Sequence, residues 1–168
     1  MIRSIEGKTP RIHPSVFVSE SAYVVGDVEI GEGSSVWPGA VVRGDYGRVV
    51  IGQGTNIQDN AVVHSDNYLE IGNNVSVTHG AVIHCSKVGN NVMVGVNAVL
   101  LEDAAIGENC IIGAGSVVLP NSIVPPNSVV VGVPGRIMPL KKEFVEKIAA
   151  TATRYQYNGK RFLNQGLD

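Results

Sequence analysis

Aliphatic residues recur along this chain at intervals of six. The series runs Ile12, Val18, Val24, Ile30, Val36, Val42. The count slips by three and resumes at Ile51, Ile57 and Val63, then slips by two and resumes at Ile71, Val77 and Ile83. After a one-residue deletion it runs from Val88 through Val94, Leu100, Ile106, Ile112, Val118 and Val124 to Val130. A period of six is neither the 3.6 of a helix nor the simple alternation of a strand. It fits a coil with three short flat sides, one hexapeptide to a side, whose aliphatic anchor points inward. The residue two before an anchor is small or aliphatic, as at Ser34, Ala40, Ala61, Val75, Ala81, Ala98, Ala104 and Ser116. Glycine and asparagine make the corners, where bulkier residues would need strained dihedrals. One hexapeptide cannot bury its apolar side alone, and stacking neighbours creates the continuous core. The twenty anchors, at three per coil, predict an all-β fold: a parallel β-helix of about seven three-sided coils over residues 1–135.

The pattern stops near Val130. The string VGVPGRIMP reads as an exit turn, with Pro134 and Pro139 expected to block further ladder pairing. The segment that follows is charged and periodic, with Phe144, Ile148 and Tyr155 roughly on one face. It predicts a C-terminal α-helix over about 141–157, lying along the outside of the prism. Residues 136–168 thus form the exit turn, helix and tail.

Composition narrows the function classes. Aromatic residues make up 5 % of the chain and apolar residues 44 %, which suits many short, similar strands joined by tight turns. Net charge is −2 with no basic cluster, so nucleic acid is not an expected partner. No apolar run approaches the roughly 18 residues of a membrane span, and the N-terminus does not read as a secretory signal. Cys85 and Cys110 are the only cysteines, which fits a reducing cytoplasm better than a disulfide framework.

The coil register also places the polar residues. His64 follows anchor Val63 and His84 follows anchor Ile83, so the two histidines occupy equivalent positions in successive coils. They should stack at the interstrand spacing of about 4.8 Å. Arg43 follows Val42, and the column reads Arg43, His64, His84. His79 lies two after Val77, around the coil from His84, and Asp59, two after Ile57, should stack beneath it. Two histidines on one face point to two metal ligands in one chain. Zinc–nitrogen bonds are only about 2.0–2.1 Å, so the displaced His79 is expected to reach the metal of a neighbouring chain. A closed ring follows, most naturally a homotrimer. His13 lies outside the pattern and reads as a surface residue. Cys85 should turn into the core.

At these residues the chain resembles the gamma-class carbonic anhydrase family, in particular its short-loop members. The matching strings are RGDYG at 43–47, NIQD at 56–59, His64, and HGAVIH at 79–84. The resemblance implies a left-handed β-helix and a trimer. It implies metal ligands His64 and His84 from one chain and His79 from the next, holding Zn2+, with Fe2+ or Co2+ equally suited to imidazole. It implies reversible hydration of carbon dioxide to bicarbonate by a metal-bound hydroxide. Arg43 and Asp45 match an intersubunit ion pair that lines the site. Asn56, Gln58 and Asp59 match the polar residues around the metal-bound water and bicarbonate, and Tyr155 matches a tyrosine of the helix near the site. Two departures stand out. The archetype has an acidic residue where this chain has Tyr46, and its acidic proton-shuttle loop is replaced by SDNYLE between His64 and Ile71. Three other readings share the prism: a hexapeptide acyltransferase, a metal-dependent acyl-coenzyme A thioesterase, and an inactive scaffold.

Overall fold

The computed structural model describes residues 1–168. The chain winds into a parallel β-helix of about seven three-sided coils and ends in one helix, Glu143–Leu163. Each anchor stacks on the anchor one coil away. On one side Val42, Val63, Ile83, Leu100 and Val118 pair in succession. On the next, Ile30, Ile51, Ile71, Val88, Ile106 and Val124 do so. On the third, Val18, Val36, Ile57, Val77, Val94, Ile112 and Val130 complete the triangle. All are buried except Val18 at the end of the stack, and the small residues two before them fill the space at the corners. Cys85 lies wholly inside, where burial pushes its thiol up to about 12.

The corners follow the same logic. Asn74, Asn91 and Asn109 sit at positive φ (55°, 54° and 54°) and stack over one another. Their carboxamides form a ladder, Asn74 Nδ2 donating to Asn91 Oδ1 (3.4 Å) and Asn91 Nδ2 to Asn109 Oδ1 (3.3 Å). Asparagine tolerates the left-handed region better than most residues, and here it also links the coils.

The three outer faces differ in character. The face carrying Arg11, Glu29, Glu70 and Lys87 is charged, with Arg11 and Arg48 both paired to Glu29 (3.3 and 2.7 Å). The face of Ser35, Asn56 and Ser76 lies beneath the C-terminal helix. The remaining face carries an outward ladder of Val41, Val62, Val82, Val99 and Val117, each only partly buried, beside the column of Arg43, His64 and His84.

Two expectations at the C-terminal end need correction. The exit segment does not end the pairing. Arg136–Pro139 turns back and pairs antiparallel with Ser128–Val131, Pro139 standing opposite Ser128 at the end of the ladder, where its missing N–H is tolerated. The helix runs six residues past the expected end at 157. Asn158-Gly159 resembles a stop signal, but Gly159 lets the helix approach the prism, where a Cβ would meet Ser35 and Phe17. Beyond it Phe162 packs against Phe17 and Trp37 at ring separations of 5.4 and 5.0 Å. Ile148 and Ala152 are buried on the same face, and Gln156 Nε2 donates to Asn74 Oδ1 at the foot of the asparagine ladder (3.1 Å). No helix is long and apolar enough to cross a membrane.

Replacing the fully buried Leu100 by Ala should cost about 2–5 kcal/mol of stability. The same change at Ile123, which is 78 % exposed, should stay within about 0.5 kcal/mol. Urea unfolding of the two variants checks the difference.

Candidate metal centre

The histidine column forms as the repeat requires. Arg43 pairs with His64 in the ladder, and His84 follows Ile83 one coil further on. The His64 and His84 rings are 5.2 Å apart, centroid to centroid. His64 is 7 % exposed, while His84 is half-buried. Asp45 lies on the opposite side of His64, with Oδ1 3.3 Å from Nε2. Its other oxygen takes a 2.5 Å bond from Arg43 Nη1. Within the chain, then, Arg43 and Asp45 form an ion pair with each other. Burial works to raise the Asp45 carboxyl, but the bonds from Arg43 and from backbone amides outweigh it and hold it below its usual range.

Two residues join the histidines that sequence reasoning did not single out. Asp66 brings Oδ1 to 3.9 Å from His64 Nε2, and the donor atoms of His64, Asp66 and His84 all lie within 4.8 Å of one another. Glu102 brings Oε1 to 3.6 Å from His84 Nδ1. The signal for Asp66 was its place two residues after His64, in the segment SDNYLE. That segment folds onto Gly47, where any side chain would collide with the backbone of Asn67. Tyr46 is exposed and sets its ring edge-on to His64 at 6.5 Å.

In the whole molecule three buried side-chain polar atoms lack a hydrogen-bond partner: Asp45 Oδ1, His64 Nε2 and His84 Nδ1. All three belong to this one column. A buried polar atom without a partner carries a cost of about 1–3 kcal/mol, so their clustering sets this part of the molecule apart from the rest. Burial, Arg43 and His84 lower the pKa of His64 below its usual value, against the opposing pull of Asp45 and Asp66. At neutral pH its imidazole is therefore uncharged, the form that binds metal. Two imidazoles beside a carboxylate fit a divalent transition ion.

The remaining expected residues form a second group. His79 stacks on Asp59, with Nδ1 to Oδ2 3.0 Å, and half of its side chain is exposed. It does not belong to the cluster of His64, Asp66 and His84. Gln58 Nε2 donates to Asn56 Oδ1 (2.8 Å), and Asn56 Nδ2 to Ser76 Oγ (3.0 Å), which fixes both buried carboxamides. Tyr155 reaches down from the helix against Trp37 (5.3 Å, edge-on). Burial and then the Asp59 carboxylate raise the pKa of its hydroxyl. One chain thus carries two groups: Arg43, Asp45, His64, Asp66, His84 and Glu102 on the valine face, and Asn56, Gln58, Asp59, His79 and Tyr155 around the neighbouring corner. His13 stands apart, bonded to Ser15.

Known proteins resemble this chain in sequence and in fold. A "Probable carbonic anhydrase" of Methanocaldococcus jannaschii is 50 % identical over 147 residues, covering 86 % of this chain and 92 % of that protein. The chain belongs to the hexapeptide-repeat carbonic anhydrase family. The family's repeat is also matched, over residues 9–44 and 85–120, by the model described as bacterial transferase hexapeptide. Carnitine operon protein CaiE of Escherichia coli O157:H7 is 38 % identical over 101 residues, 59 % of this chain and 52 % of its own length. Among solved structures, a Bacillus cereus protein provisionally described as an acetyltransferase superposes with a TM-score of 0.92 at 32 % identity, covering 96 % of both chains. A hexapeptide transferase family protein of Anaplasma phagocytophilum gives 0.92 at 30 %, covering 96 % of this chain and 98 % of its own. The family's prism is thus common to proteins described as anhydrases and as transferases.

The lowered pKa of His64 has a consequence for the metal-free protein. The unfolded chain takes up a proton at the ordinary histidine pKa near 6.5, before the folded chain does. Stability contributed by neutral His64 is therefore present above pH 6.5 and lost as pH falls through the lower folded value. Chelator-treated protein should lose stability between pH 7.5 and 5.5, by at most about 1.4 kcal/mol per pH unit from this group. A His64→Asn variant should show a shallower slope in urea unfolding over the same range.

Proposed function

We propose that this chain is a gamma-class carbonic anhydrase that interconverts carbon dioxide and bicarbonate at metal sites shared between the subunits of a homotrimer. The observation that carries this reading is the stacked pair of His64 and His84, whose donor atoms lie, with that of Asp66, within 4.8 Å of one another. His64 and His84 hold the ion from one chain and His79 from the next, with zinc the first candidate and iron or cobalt equally compatible.

The subunit arrangement has its own support. Alternation would place polar side chains on an outer face exposed to water. The face beside the histidines instead presents five stacked valines, while the other two faces are charged or covered by the helix. A second copy of the chain is the partner that covers this face and brings His79, which stands away from its own chain's cluster.

A divalent ion held by three imidazoles lowers the pKa of a coordinated water to about 7. The chain's own residues do the rest. Gln58, its amide tied to Asn56, keeps a carbonyl oxygen without a protein donor and orients the attacking water. Asp59 fixes the His79 ring through Nδ1. Arg43 holds Asp45 ionised beside His64. The proton released must pass to solvent, and Tyr46 stands where a carboxylate could have taken it. SDNYLE is too short to restore the acidic loop.

An acyltransferase acting on a coenzyme A thioester would use the same prism, as the solved transferase structures do. It has no use for two stacked histidines with unpartnered nitrogens, so the metal reading is preferred. Stopped-flow assay of metal-loaded protein with carbon dioxide, beside acetyl-coenzyme A with and without an amine acceptor, separates the readings. Hydration should be weak in a non-accepting buffer and rise with imidazole concentration, because the buffer takes the proton. Thioester turnover without hydration would overturn the proposal in favour of a thioesterase or transferase. A fully loaded protein inactive on both would be a scaffold.

The shared site has a direct test. His79→Ala protein and His64→Ala/His84→Ala protein should each bind no metal, with their folds intact. Co-refolded at equal amounts, they should recover about one quarter of the sites, because each mixed ring of three has one interface with a complete ligand set. Verified mixed trimers without metal by elemental analysis would rule out ligands donated across the interface.

A further inference from the structure

One of the three proposed ligands has its carboxylate partner already accounted for: Asp59 lies 3.0 Å from His79 Nδ1. His84 has one as well. We infer that Glu102 is the positioning residue of His84: it accepts a hydrogen bond from Nδ1 and so leaves Nε2 as the metal-binding nitrogen. This rests on the metal reading proposed above and assigns a residue that reading does not use.

The observations come from three directions. His84 Nδ1 is buried and has no partner, and the Glu102 carboxylate is the acceptor nearest to hand, at 3.6 Å. That distance is longer than a hydrogen bond of 2.7–3.2 Å, but a small torsion of a long, 58 % exposed side chain closes it. Glu102 has no competing attachment, since no Lys or Arg pairs with it and its side chain makes no other hydrogen bond. Its backbone is held independently, the carbonyl accepting from Asn121 N at 2.9 Å. Leu100 stacks on Ile83, so Glu102 stands at the corner one coil beyond His84, as Asp45 stands one coil before His64. The two carboxylates bracket the histidine pair from opposite ends.

The chemistry explains why such a group matters. An imidazole can present either nitrogen, and the proton's position decides which one is the ligand. An acceptor at Nδ1 selects the Nδ1–H tautomer and fixes the ring plane before the metal arrives. Partners of this kind typically change metal affinity roughly 10–100-fold. Without Glu102 the half-buried ring is free to turn, and the ordering must be supplied on binding.

The test uses Co2+ alone as the probe, with the full-length protein, chelator competition for affinity and the visible d–d spectrum for geometry. Glu102→Ala should weaken Co2+ binding roughly 10–100-fold and alter the spectrum. Glu102→Gln keeps a carbonyl acceptor and should lose less. The melting temperatures of both metal-free variants should match the wild type. Affinity of Glu102→Ala within about twofold of wild type, far below that range, would overturn the inference. So would equal losses in the Ala and Gln variants, or a fall in melting temperature that accounts for the loss. Wild-type protein that takes up no Co2+ would overturn the metal reading and this inference together.

Discussion

In a three-sided coil the backbone N–H of most residues finds its acceptor one coil away. The ladder therefore fixes which side chains are neighbours in space, and it does so at an interstrand spacing of about 4.8 Å. Two histidines at the same place in successive coils must stack. Their rings do so at 5.2 Å, close enough to share one ion and too close for both to carry charge comfortably. Burial first, then Arg43 and His84, keep His64 in the neutral state that metal coordination needs. The aliphatic anchors hold that register, because the interior they fill is almost wholly apolar.

The same geometry divides labour among the faces. Alternation turns every second residue of a side inward, so function is written on the outward ones. On one face these are ion pairs, and on another they meet the helix through Phe17, Trp37, Tyr155 and Phe162. On the third they are valines beside the histidine column. The helix also brings Tyr155 and Gln156 to the corner next to the group of Asn56, Gln58 and Asp59. It thus flanks that polar group as well as covering the core.

Much of this was legible in the sequence because a solenoid is almost one-dimensional. The anchors, the coil number, the stacking of His64 under His84 and of Asp59 under His79 follow from counting alone. What counting could not supply were contacts that depend on side-chain length or on packing between elements. Glu102 lies one residue off the column that continues through Leu101, and its reach back to His84 comes from a long, flexible side chain. Asp66 sits in a segment where the count slips, so no register could be assigned to it. The helix end was misjudged because Asn158-Gly159 has the local chemistry of a stop, whereas the Gly159 contact with the prism is a tertiary fact. The strand Arg136–Pro139 was hidden by prolines that a terminal strand tolerates.

The breaks in the six-residue count share a location. Intervals of nine, eight and five follow Val42, Val63 and Ile83, and all fall at the corner entered just after Arg43, His64 and His84. Every other interval in the series is six. Length is therefore constrained everywhere except beside the histidines, where the chain passes round the corner outside the anchor stack. An insertion between His64 and Leu69 would leave Val63 over Ile83 and Leu69 in its layer, while changing what hangs above the histidines. The prism behaves as a chassis with a single open bay. New loops, and with them new substrates or proton routes, can be fitted in that bay without re-solving the folding problem.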